Sequence, residues 1–334
     1  MNLPEAVTVD ELINGAEIRH PSPALQISSN RLVASKVESH QASLEWLRLV
    51  SCIGIVWFHC QAPGALVGYA GLPALIALSV ALASVPGKSI PFGAIVKKRA
   101  KRLLLPWAFW CLVYALWRIV GAVALKAPLG GEFQEWMLFT GPAIHLWYLP
   151  FAFVATCFAS VLNSGRSSAR RADMIFWSAF AALAFVLCSL MMSRLSLPRP
   201  LAQWTFGLPA IFIGLALPQF MEQRRRILGI LCVALMVTLV GIVAWSLGLR
   251  ELLAPYLVGT FGLAAAWGLR GAASPHVLWI GSLSYGIYLA HPLFASLIGR
   301  ALGTQTGPTF AILVIVVTVA FVAVARRTLL RAVM

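Results

Sequence analysis

Charged residues are scarce in this sequence. Only 11% of the 334 residues are charged and 60% are hydrophobic, against about 25% charged in soluble domains. Acidic residues are the scarcer sign, since 11 Asp and Glu accompany 26 Lys and Arg for a net charge of +15. The basic residues form short clusters between apolar runs, as in the loops of membrane proteins beside anionic lipid. We therefore expect a polytopic membrane protein and no nucleic-acid partner.

Motifs for metal ions, disulfides and secretion are also missing. The six cysteines lie in or beside apolar runs and form no CxxC pair, which argues against a disulfide framework and a zinc site. No HExxH occurs, so we expect no metal. Residues 1–43 contain acidic residues among Pro, Ser and Asn, without a basic start and an apolar core. This composition predicts a flexible cytoplasmic segment rather than a cleavable signal peptide.

Ten apolar runs approach the roughly 20 residues that cross a bilayer. They are 44–60, 65–85, 103–125, 145–162, 173–193, 203–220, 227–247, 252–269, 276–298 and 308–325. With the N-terminus placed inside, inner segments hold 19 basic residues and outer segments six. The positive-inside rule then predicts an all-α fold of about ten transmembrane helices with both termini cytoplasmic. We divide the chain into the segment 1–43, a membrane domain 44–326 and a basic cytoplasmic tail 327–334.

The first run, LEWLRLVSCIGIVWFHC, carries Arg48 and His59 eleven positions apart. At 100° per residue the two side chains point the same way to within roughly 20° and are separated by roughly 16 Å along the axis. Glu45 and Cys52 lie near the same face. Ionisable groups inside a membrane span usually face the bundle interior or a watery cavity, so this polar stripe is a functional candidate.

Three histidines are expected at one level near the outer surface: His59, His145 at the start of the fourth run, and His291 in the ninth. A metal bridging them is conceivable, but neither their spacing nor a nearby set of carboxylates specifies one. At the opposite level, the cluster KKRAKR precedes the third run. A helical extension would put Arg99 and Arg102 on neighbouring surface, either as a topology anchor or as a phosphate site.

The ninth run contains GSLSYGIYLAHP, in which small and hydrogen-bonding residues form a single helical stripe. The stripe comprises Gly281, Ser284, Tyr288 and His291, and it indicates either a packing seam or part of a site. Pro292 follows His291, which allows a local break of the helix that would open backbone groups to a cavity.

Four segments together resemble the acyltransferase 3 family, integral-membrane acyltransferases that modify bacterial surface glycans. The Arg-x10-His spacing of Arg48 and His59, KKRAKRLLLPW, IHLWYL and GSLSYGIYLAHP are similar to family elements and stand in the family's order. The second run, GLPALIALSVALAS, departs from the family by lacking a Phe-Phe-x-x-Ser-Gly stretch.

The resemblance implies transfer of an acyl group, most simply acetyl, from acyl-coenzyme A to a sugar hydroxyl of an exopolysaccharide, an O-antigen or a lipid-linked oligosaccharide. It implies a bacterial inner-membrane enzyme with no permanently bound cofactor, whose partners are acyl-coenzyme A, the saccharide acceptor, membrane lipid and possible polysaccharide-assembly machinery.

Each candidate residue receives a role from this chemistry. Histidine titrates near neutral pH, so His59 is the expected general base. The arginine fork suits phosphates, so we assign Arg99 and Arg102 to the coenzyme, and Arg48, oriented by Glu45, to placing it. His145, Ser284, Tyr288 and His291 are expected to bind substrate. An acyl-cysteine on Cys60 is disfavoured because Cys60 points about 100° away from its neighbour His59.

Two other classes of protein stay open at this stage. A ten-span transporter or flippase would also carry polar stripes, although the halves 45–190 and 200–325 show no clear internal repeat. A non-enzymatic assembly factor for a polysaccharide synthase is the other. Transfer or hydrolysis of labelled acetyl-coenzyme A would separate both from an acyltransferase.

Overall fold

A computed structural model describes residues 41–84, 91–162, 171–220, 241–242, 245–246, 248, 250–269, 271 and 273–334. This part of the chain is helical and contains no strand, which confirms the predicted all-α class. Seven of its helical stretches are long and apolar enough to cross a bilayer: Ala65–Ala83, Phe92–Ala124, Ile144–Leu162, Ile175–Arg194, Leu201–Pro218, Pro275–Leu302 and Pro308–Ala325. The number ten stays a prediction. Most of the seventh predicted run and residues 1–40 of the predicted N-terminal segment lie outside the described residues.

The helices follow the predicted runs closely. In chain order they are α1 (Ala42–His59), α2 (Ala65–Tyr69), α3 (Gly71–Ala83), α4 (Phe92–Ala124), α5 (Met137–Thr140), α6 (Tyr148–Leu162), α7 (Arg171–Arg194), α8 (Leu201–Phe220), α9 (Arg250–Gly268), α10 (Pro275–Leu302) and α11 (Pro308–Ala325). Short 3₁₀ turns occur at Leu129–Gly131, Ile144–Trp147 and Leu329–Ala332.

Helix α1 lies at the centre of the bundle, where it packs against α2, α3, α9, α10 and α11. Its charged and polar side chains lower its mean hydropathy, so α1 is not among the seven strongly apolar stretches. The other helices shield those side chains from lipid, as expected for ionisable groups within a membrane bundle. Helix α1 contacts α2 closely where Gly54 of α1 meets Gly68 of α2. Only glycine permits this contact, because a Cβ on Gly68 would lie 2.4 Å from the carbonyl oxygen of Gly54.

Three predicted elements differ in detail from the structure. The second predicted run is split into α2 and α3 at Ala70. The third begins earlier, because α4 takes in the KKRAKR cluster and reaches 33 residues. At 1.5 Å per residue this helix is about 50 Å long, so its basic start extends beyond a hydrocarbon core of about 30 Å. The local break that Pro292 would allow does not occur, since α10 continues through this residue.

Contacts between helix ends sort the bundle into two ends. At the end where α1 begins, Arg99 Nη2 donates to Ser160 Oγ at 2.6 Å and Arg326 Nη1 donates to the Ser282 carbonyl at 2.9 Å. We call this the basic end. At the opposite end, the histidine end, the Gly307 amide donates to the Cys60 carbonyl at 2.9 Å. The spans alternate in direction between these two ends, as the loop charges predict. Which end faces the cytoplasm stays a prediction.

Candidate active site

A cavity of about 940 Å³ opens between α1, α3, α4, α6 and α10 at the basic end. Its charged lining consists of five cationic side chains and one carboxylate: Arg48, Lys98, Arg99, Arg102, Arg326 and Glu45. Such an excess of positive charge beside apolar walls draws anions in and holds them strongly, because the local dielectric is low. The cavity therefore has the electrostatics of a site for a multiply charged anion.

The carboxylate of the cavity is held in place by the fold. Glu45 accepts a hydrogen bond from Arg48 Nη1, one turn further along α1. Both side chains line the cavity, and the Arg48 side chain, 26% exposed against 7% for that of Glu45, is the more accessible of the two. A Cβ on Gly281 would lie 2.3 Å from Glu45 Oε2, so glycine at this position of α10 is what admits the pair. The predicted orientation of Arg48 by Glu45 is thus present.

Two arginines of α4 face the same cavity. Arg99 is half-buried and binds Ser160 on α6, while its Nε is buried without a hydrogen-bond partner among the described residues. Arg102 is exposed at the cavity wall. Lys98 lines the cavity too, whereas Lys101 does not. The helical spacing that the sequence predicts for Arg99 and Arg102 is therefore present in the structure.

Arg326 brings a fifth cation from a separate helix end. It directly follows α11 and donates from Nη1 to the carbonyl oxygens of Ser282, at 2.9 Å, and Met334, at 3.5 Å. Burial, and then the neighbouring Arg331, lower the pKa of the Arg326 guanidinium, but an arginine side chain keeps its charge in proteins. Sequence analysis counted Arg326 only as an inner loop charge.

Two tyrosines and a thiol close the deep end of the cavity. The rings of Tyr148 and Tyr288 meet edge to face with centroids 5.2 Å apart, and Cys52 lies between the cavity and the buried core. The Tyr148 hydroxyl is 3.3 Å from Ser79 Oγ, and the Tyr288 hydroxyl donates to the carbonyl of His145. We refer to Tyr148 and Tyr288 as the tyrosine pair.

The three histidines meet just beyond the tyrosine pair. The ring centroids of His59 and His291 are 5.2 Å apart, and those of His145 and His291 are 5.5 Å apart. The Tyr288 ring contacts both His145 and His291, at 5.7 and 6.2 Å. His291 is fully buried and His145 is 5% exposed, whereas His59 is exposed. We call this group the histidine cluster.

The structure thus separates the predicted site residues into two groups on either side of the tyrosine pair. Glu45, Arg48, Arg99, Arg102 and Ser284 line the cavity, although the buried Ser284 hydroxyl donates to its own helix at the Gly281 carbonyl. His59, His145 and His291 lie beyond the tyrosine pair, and Tyr288 touches both groups. Within the described chain, no three His, Cys, Asp or Glu side chains are arranged to hold a metal ion.

A comparison with protein families decides what kind of protein has this site. A family model described as "Acyltransferase domain", that of the acyltransferase 3 family, matches residues 41–327. The chain belongs to this family. The matched range contains all the charged side chains of the cavity, the tyrosine pair and the histidine cluster, so this multi-pass membrane protein is an acyltransferase. Searches of curated proteins and of solved structures gave no match.

Several residues of this acyltransferase site were missed by sequence reasoning: Lys98, Tyr148, Tyr285 and Arg326. Tyr285 lies at the cavity wall, where its hydroxyl donates to the Arg102 carbonyl at 3.4 Å. Tyr285 does not lie on the helical stripe that contains Ser284 and Tyr288, so the periodicity of the ninth run did not identify it. Lys98 belonged to the KKRAKR cluster, but only the packing of α4 decides which of those cations face inward.

Proposed function

We propose that the protein transfers an acetyl group from acetyl-coenzyme A, bound at the basic end, to a sugar hydroxyl presented at the histidine end. The observation that carries this proposal is the cavity with five cations and one carboxylate. Coenzyme A has a diphosphate and a 3′-phosphate, together about four negative charges near neutral pH, and the excess of cationic side chains in the lining is complementary to them. Arginine forks bind such phosphates through charge-assisted, often bidentate hydrogen bonds.

The position of Tyr288 between the cavity and the histidine cluster supports the second half of the proposal, because its ring lines the one and contacts the other. A phosphate group held by Arg99 or Arg102 leaves the long pantetheine arm free to extend inward past Arg48 towards Cys52 and the tyrosine pair. The thioester at the tip of that arm then approaches the histidines from one side. His59 is exposed and meets the acceptor from the other side.

In this mechanism His59 is the general base. Its unprotonated ring nitrogen takes the proton of the sugar hydroxyl while the hydroxyl oxygen attacks the thioester carbonyl carbon. The carbon–sulfur bond breaks, and the coenzyme A thiolate leaves and receives a proton from the His59 imidazolium. The products are the sugar ester and free coenzyme A, and His59 returns to its starting state. Transfer needs no covalent enzyme intermediate.

The acceptor class follows from what the family resemblance implies. We propose a saccharide of an exopolysaccharide, an O-antigen or a lipid-linked oligosaccharide, modified at the inner membrane of a bacterium with the basic end towards the cytoplasm. The loop-charge asymmetry of 19 inner against six outer basic residues supports this orientation. Polysaccharide-assembly machinery is the proposed partner that receives the modified saccharide.

The experiment that tests the proposal supplies ¹⁴C-acetyl-coenzyme A to the purified protein in lipid nanodiscs. A detergent extract of membranes lacking the protein provides the acceptor. We expect label in a saccharide fraction that is released by mild alkaline hydrolysis, as an ester is. No labelled product and no hydrolysis of acetyl-coenzyme A would contradict the proposed donor. Mass spectrometry of surface glycans from a deletion strain then identifies the acetylated sugar.

A further inference from the structure

Pro292 determines which nitrogen of His291 carries the hydrogen. A proline has no backbone N–H, so in α10 the carbonyl of Tyr288, four residues earlier, loses its helical donor. The ring of His291 replaces that donor, because its Nδ1 lies 2.8 Å from the Tyr288 carbonyl oxygen and 3.2 Å from that of Ile287. A carbonyl oxygen only accepts, so Nδ1 is protonated. In the neutral ring, Nε2 therefore presents a lone pair.

That lone pair has no hydrogen-bond donor in the described part of the protein. His291 Nε2 is buried without a partner, although the residue is fully enclosed. An unpaired acceptor in such surroundings costs free energy, so an unpaired His291 Nε2 is best explained by a partner that it binds during function. The residue lies between His145 and His59, so the candidates for the donor are few.

The hydrogens of the other neighbours are already used. His145 Nε2 is 3.3 Å from the Leu289 carbonyl and must donate to it. The Tyr114 hydroxyl donates to the same carbonyl at 2.8 Å, and the Tyr288 hydroxyl donates to the carbonyl of His145. The His59 ring, by contrast, makes no hydrogen bond to another described residue. Among the described side chains of the histidine cluster and the tyrosines beside it, the His59 N–H is the hydrogen that remains for His291 to accept.

We propose that His291 is a positioning residue that accepts a hydrogen bond from His59 and thereby sets the tautomer and the orientation of the general base. Their ring centroids are 5.2 Å apart and their planes are tilted by 30°, a separation at which facing ring nitrogens come within hydrogen-bond reach. Hydrogen bonds of this kind are often loose without substrate and tighten in the reacting complex.

This arrangement assigns a task to each nitrogen of His59. One nitrogen donates its hydrogen to His291 Nε2. The other nitrogen is then unprotonated and points away from the buried core, to the side from which the acceptor hydroxyl arrives. When that nitrogen takes the hydroxyl proton, the positive charge on His59 is stabilised by the lone pair of His291. The inference rests on the proposed function, since it acts through His59 in the same reaction.

The test compares His291→Asn with His291→Gln in the nanodisc assay, with rates expressed per mole of protein. Asparagine can keep the hydrogen bond to the Tyr288 carbonyl but removes the acceptor at the position of Nε2, whereas the longer glutamine side chain can return an acceptor there. We expect His291→Asn to lower the maximal rate about tenfold, the value of one lost hydrogen bond, with unchanged half-saturating acetyl-coenzyme A and membrane extract. His291→Gln should recover most of the rate.

A matched control is Thr318→Val on α11, which also removes a fully buried side-chain oxygen without a partner but lies outside the site. It should leave the maximal rate unchanged. A wild-type rate for His291→Asn would overturn the inference, and so would a maximal rate in the Gln variant that falls as far as in the Asn variant. A raised half-saturating amount of extract at an unchanged maximal rate would also overturn it, because that is the effect expected of a residue that binds the acceptor.

If His291→Asn does not accumulate, His291→Gln and His291→Met replace it as a pair of similar size that differs in the acceptor. Equal rates for Gln and Met would then overturn the inference, and a rate retained only by Gln would support it. A wild-type protein that neither transfers nor hydrolyses the acetyl group would instead overturn the proposed function and this inference with it, an outcome visible before any variant is made.

Discussion

Replacement of Arg326 by alanine is expected to weaken binding of the acyl donor, although this residue belongs to none of the sequence motifs. Arg326 lines the cavity from the end of α11, while Lys98, Arg99 and Arg102 line it from α4. Loss of one charge-assisted hydrogen bond to a phosphate costs about 1.5–3 kcal/mol. Since about 1.4 kcal/mol corresponds to a factor of ten, the half-saturating acetyl-coenzyme A concentration should rise about ten- to hundredfold.

The assay for Arg326 needs a control for its structural contacts, because Nη1 also binds the carbonyls of Ser282 and Met334. Arg326→Lys keeps the positive charge but replaces the planar guanidinium fork by a compact ammonium, so it should recover part of the affinity for the acyl donor. Arg327→Ala removes an exposed cation next in sequence that does not line the cavity, and it should change nothing. An Arg326→Ala protein that accumulates normally and needs no more donor than wild type would refute the anion-site assignment.

Two further predictions concern the same cavity. Arg99→Ala and Arg102→Ala should each raise the half-saturating concentration of acetyl-coenzyme A about tenfold or more. Lys101→Ala, on the same helix but outside the cavity lining, should not raise it. If titration of the acyl donor shows equal effects for all three variants, the basic cluster is a topology anchor. Gly281→Ala should displace Glu45, at a cost of about 1–3 kcal/mol in stability, and raise the donor requirement. Gly262→Ala, where a new Cβ meets nothing closer than 3.8 Å, is its control in thermal unfolding and activity measurements, and equal behaviour of the two would contradict the packing argument.

The helical architecture was largely predictable because it depends on local composition. The run 308–325 coincides with α11, and α1 begins and ends within two residues of the predicted first run. The bend at Ala70 was not predictable, because it follows from close packing of α2 and α3 on α1. A Cβ on Gly71 would lie 2.3 Å from the Ser51 carbonyl, a constraint that exists only once the helices meet.

The site was predictable where its residues share a helix face. Helix geometry alone predicts that Arg48 and His59 share one face of α1 and that Arg99 and Arg102 occupy neighbouring surface of α4. Arg326 belongs to no local pattern and reaches the cavity through the packing of distant helices. Tyr148 lies in the segment IHLWYL, but only helix packing shows that its side chain lines the cavity. The tautomer of His291 was within reach of sequence reasoning, because the proline at 292 frees the carbonyl of Tyr288 and the histidine ring next to that proline can satisfy it.

The most direct test of the central claim asks whether donor and acceptor are used at opposite ends of the protein. Everted, sealed membrane vesicles expose the cytoplasmic face, so ¹⁴C-acetyl-coenzyme A added outside should label saccharide inside, protected until detergent opens the vesicles. His59→Ala should lower this labelling by about 10²–10⁴ without loss of protein, because a general base is removed. Equal labelling by right-side-out vesicles, or a wild-type rate from His59→Ala, would contradict the account.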